Sequence, residues 1–113
     1  MTDQVSENQG MGPLSPQEKR AYEVEYKKGA DLFKRALDDY SHSKNMFQKE
    51  EFRSVMDKAM QVLNDAAAAL QRKELLTQNT IIEKDFENFQ TQDNQVAIDT
   101  LITDLGKAEK KIK

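Results

Sequence analysis

The residues able to do chemistry in this chain are few and dispersed. His42 is the only histidine, and there is no cysteine. A metal site or a catalytic triad would need further nitrogen or sulfur ligands, or a base beside a nucleophile, and neither pattern occurs. His42 therefore reads as a solvated turn histidine, whose titration near neutral pH would make that turn pH-sensitive. Carboxylates are plentiful, but Asp38–Asp39 and Glu50–Glu51 are adjacent pairs that point in different directions on a helix. Di-iron bundles need Glu-x-x-His on facing helices, and that spacing is absent. Glu83, Asp85 and Glu87 surround Phe86, interrupted by Lys84, and residues 75–94 hold four acids against one base. This segment reads as a solvated face; the sharper alternative is a docking patch for a basic partner, anchored on Phe86 and Phe89.

The remaining motifs are weaker still. No Asp-x-Asp-x-Asp-Gly calcium loop exists. Gly10 and Gly12 are spaced like the opening of a phosphate loop, but no strand precedes them and no Gly-Lys-Ser/Thr follows. Lys107, Lys110, Lys111 and Lys113 suggest RNA or an anionic surface, yet Asp104 and Glu109 dilute them and no aromatic residue lies nearby to stack on bases. The expectation is a chain without catalytic residues, metal ligands or cofactor, and so not an enzyme.

Composition narrows the class. The chain has 113 residues, 37% hydrophobic and 33% charged, with 17 basic and 20 acidic side chains for a net charge of −3. One domain is expected at this length, and the absence of a basic surplus argues against nucleic-acid binding. The longest apolar run is Ala66–Leu70, too short for membrane insertion. Residues 1–15 lack the basic cluster and apolar stretch of a secretory signal, which points to a cytoplasmic protein and leaves leaderless export open.

The elements that must carry these residues are helices. After Pro16 there is no proline, only Gly29 and Gly106 interrupt the chain, and strand-type alternation is absent, so the fold is all-α. Residues 1–14 are too poor in apolar side chains to offset their ordering entropy and read as a disordered N-terminal tail, leaving 15–113 as a single helical domain. Ser15-Pro16-Gln17-Glu18 is a capping box with proline in the first helical position, and it predicts a helix from Pro16 to His42. The stripe Tyr22, Tyr26, Gly29, Phe33, Ala36/Leu37 and Tyr40 is its buried face. Gly29 inside that stripe costs about 1 kcal/mol against alanine, a cost that a close helix approach would offset. Asn45 with Gln48 starts a second helix, whose stripe is Phe52, Met56, Ala59, Leu63, Ala66 and Leu70.

Beyond Leu70 the stripe turns. Leu75, Ile82, Phe86 and Phe89 form a new one about 130° away around a common axis. Two arrangements satisfy this. A break at 77–80, with Thr80 and Glu83 as a fresh capping box, gives four helices; an unbroken middle helix of about 69 Å gives three. The strong helix formers Leu75, Leu76 and Gln78 favour the three-helix arrangement, in coiled-coil-like hairpin packing with apolar surface left over. A last helix begins near Asp93 or Asn94, with Ile98, Leu101, Ile102, Leu105, Ala108 and Ile112 inward. The functional expectation is a helical protein–protein interaction module: an adaptor, a small chaperone or an assembly component. It would form a homo-oligomer, expected to be a dimer, and bind another protein through Leu75, Ile82, Phe86 and Phe89, with the adaptable side chains of Met56 and Met60. A component of a secretion apparatus and weak anionic-surface binding through the last helix are the alternatives.

Overall fold

Four helices follow one another in the computed structural model, which describes residues 13–112: α1 (Pro16–His42), α2 (Met46–Leu70), α3 (Lys73–Gln92) and α4 (Gln95–Lys110). Three of them start on the side chains the sequence marks. The Ser15 hydroxyl accepts from the Glu18 N–H at 3.1 Å while the Glu18 carboxylate accepts from the Ser15 N–H at 2.9 Å. Asn45 and Asn94 each accept from a backbone N–H three residues on, at 2.9 Å, and so close the free ends of α2 and α4. The turns between helices are two or three residues long, so each helix runs antiparallel to the one before it. α1 lies against α2 and α4, and α3 lies against the same two helices. α1 and α3 therefore face each other across the core, where Phe33 meets Phe86 and Tyr40 meets Phe89 edge to face, each at 5.1 Å. The result is a four-helix bundle of 55 × 25 × 21 Å.

The middle segment corrects the three-helix expectation. The chain does break, but at Gln71–Arg72 rather than at 77–80, and α3 runs unbroken through 77–80. Thr80 is not a cap; its hydroxyl donates to the Leu76 carbonyl inside the helix at 3.0 Å. Gln71 takes the left-handed conformation (φ 53°) and Arg72 provides no side-chain cap, so no local signal marks this turn. Tertiary packing is the cause: reversing the chain just before Leu75 turns the rotated stripe inward against α1 and α4. The rotation of the stripe was the sequence trace of the turn. It marks the first residues of a new helix instead of a change of face on an old one.

The remaining stripes behave as expected, except at one end. Tyr26, Phe33, Leu37 and Tyr40 are buried, but Tyr22 is 37% exposed. Leu14, placed in the tail by composition, packs against the core. The rest of the expected tail, residues 1–12, and Lys113 lie outside the described residues.

Gly29 is where α1 and α2 come closest. A Cβ added there would stand 2.9 Å from Val62 Cγ1 and 3.2 Å from Leu63 Cδ2. Val62 is β-branched and cannot swing away cheaply. Gly29→Ala is expected to destabilise the bundle by up to about 2 kcal/mol, overpacking of about 1–3 kcal/mol outweighing a gain of about 1 kcal/mol in helix propensity. At Gly106 nothing lies within 4 Å of an added Cβ, so Gly106→Ala should stabilise by about 1 kcal/mol. Urea unfolding of the two variants measures both signs at once.

Candidate functional site

The side chains expected to form a docking surface are core. Met56, Met60, Leu75, Ile82, Phe86 and Phe89 are all buried, at 7% exposure or less. The turn at 71–72 brings Leu75, Ile82, Phe86 and Phe89 against α1 and α4, while Met56 and Met60 face the same interior from α2. They hold the bundle together, and of the large apolar side chains of α3 only Leu76 and Ile81 face outward.

Among them runs a polar layer that sequence reading missed. Gln78 and Asn79 are buried. The Tyr26 hydroxyl donates to Asn79 Oδ1 at 2.9 Å, Asn79 Nδ2 donates to Asn64 Oδ1 at 2.6 Å, and Gln78 Nε2 donates to the Asp104 carbonyl at 3.1 Å. Burial, and after it the charge of Glu109, holds the Tyr26 hydroxyl far above the ordinary tyrosine range. The available signal was two amides at inward positions between Leu75 and Ile82.

A second polar cluster ties the hairpins together near one end. The Tyr40 hydroxyl donates to Asp93 Oδ1 at 2.8 Å, and Arg53 Nη2 donates to the Tyr40 oxygen at 2.8 Å and to Asp93 Oδ2 at 3.1 Å. Asp93 is the left-handed residue (φ 42°) that ends α3. The α3–α4 turn is thus fastened beneath the end of the α1–α2 hairpin. Met46 lies about 10 Å further along α2 than Arg53, so that hairpin projects beyond its neighbour.

Asp85 and Asp104 face each other between α3 and α4. Burial, then a hydrogen bond with Asp104 and its negative charge, push the Asp85 carboxyl up to about 7, with Lys107 opposing. Lys107 Nζ stands 3.6 Å from Asp104, and Asp85 Oδ2 has no donor within reach. Two ionised carboxylates cannot bond each other; one must keep a proton. The unfolded carboxyl loses that proton near 3.8, so between about pH 4 and 7 the fold binds a proton that the unfolded chain does not. Stability therefore falls as pH rises through this window. Asp85→Asn should match the wild type at pH ~4 and exceed it at pH ~8 in urea unfolding; equal stability at both values would mean that the pair does not share a proton.

Several large apolar side chains face outward, Tyr22, Val24, Leu32, Leu76 and Ile81 among them, but the most exposed gather at the projecting end. Phe47 is 86% and Met46 72% exposed. They are the first two residues of α2, where side chains lean toward the helix start and so past the end of the hairpin. Neither has a local structural task. Asn45 already caps the helix. A hydrophobic staple would use the residue before the cap and the fourth helical residue, which here are Lys44 and Lys49. Val96, the second residue of α4, is 73% exposed at the same end of the bundle.

The other candidates gather little. His42 is exposed, its Nδ1 2.8 Å from the Asp38 carbonyl at the end of α1. Among the described residues no group of three or more His, Asp or Glu side chains is placed to hold a metal ion. A hollow of about 360 Å³ follows Val96, Asp99, Thr100, Thr103, Asp104 and Lys107, but all of these lie on α4 and cannot surround a ligand. In the lysine-rich segment, Lys107 is held by Asp104, and Glu109 is taken by Lys34 at 2.5 Å. Among the described residues no helix is long and apolar enough to cross a membrane. No protein-family model, curated protein or solved structure matches the chain.

Proposed function

We propose that this protein is a non-catalytic helical interaction module, an adaptor or assembly component, which binds another protein through the end of its α1–α2 hairpin. One observation carries the reading: Met46 and Phe47 stand in water at a helix start whose capping needs neither of them. A solvent-facing phenylalanine followed by no apolar contact gains nothing for the fold and exposes an area that favours burial elsewhere. Aromatic and methionine side chains are enriched at the centres of protein interfaces for that reason. The rest of the bundle supports the same role, since its four helices and buried amide layer hold the hairpin rigid and its end in a fixed shape.

A photo-crosslinking side chain placed at position 47, with a second at position 110 on the exposed end of α4 as reference, tests this in cells that make the protein. Crosslinked species should concentrate at position 47. Equal labelling at both positions would sink the reading.

A further inference from the structure

We draw no further inference here: the strongest candidate, the exposed Met46–Phe47 patch at the end of the α1–α2 hairpin, belongs to the site already described, and nothing in the structure shows what covers it.

Discussion

Phe89→Ala is expected to cost about 3–5 kcal/mol, as much as Leu63→Ala at about 2–5 kcal/mol. Both side chains are completely buried, one on α3 and one on α2. Removing the Phe89 ring deletes its transfer free energy, leaves a cavity that four helices cannot close, and strips Tyr40 of its edge-to-face neighbour. Tyr40 also carries the hydrogen bonds to Asp93 and Arg53, so the α3–α4 turn should loosen with it. Urea unfolding of the two variants measures this. A Phe89 variant within about 1 kcal/mol of the wild type would mean that α3 is not packed as described and that its stripe is free for a partner after all.

Asn79→Ala is expected to cost about 2–4 kcal/mol, although it removes few atoms. The Tyr26 hydroxyl would lose its acceptor inside the core, and an unpartnered buried donor carries its full desolvation penalty. Asn64 is only half-buried and can turn to water, so the larger part of the loss sits on Tyr26. The double variant Tyr26→Phe/Asn79→Leu removes donor and acceptor together and should recover most of the stability, since an apolar pair of similar shape needs no partner. A double variant no more stable than Asn79→Ala would show that the hydrogen bond is not the source of the cost. The bond also joins α1 to α3 across the core diagonal at one height only. Sliding α3 by a turn would bury both groups unpaired, so the pair sets the register of the second hairpin against the first.

Where α1, α2 and α4 begin was legible because the instruction is local. Ser15 with Glu18, Asn45 and Asn94 each satisfy backbone donors within three residues, and that arrangement is visible in sequence before any tertiary contact forms. The inward faces of α1, α2 and α4 followed from spacing for the same reason, and Gly29 inside its stripe marked the close approach that the α1–α2 contact requires. The turn at Gln71–Arg72 was not legible. Both residues favour helix, neither caps, and Gln71 is held left-handed at a cost of about 1–2 kcal/mol by what the reversal buries on either side.

The destination of the second stripe followed from that turn. Leu75, Ile82, Phe86 and Phe89 have one pattern whether they cover a partner or close a bundle; only the fold of the whole chain selects between the two. The same holds for Met46 and Phe47. Their types say apolar, and only the surrounding helices leave them in water. Local hydrogen bonding and periodicity thus determined that the chain is helical and which side of each helix is apolar. Tertiary packing decided which apolar sides meet, because burial is a sum over residues far apart in sequence, and no window of a few residues contains that sum.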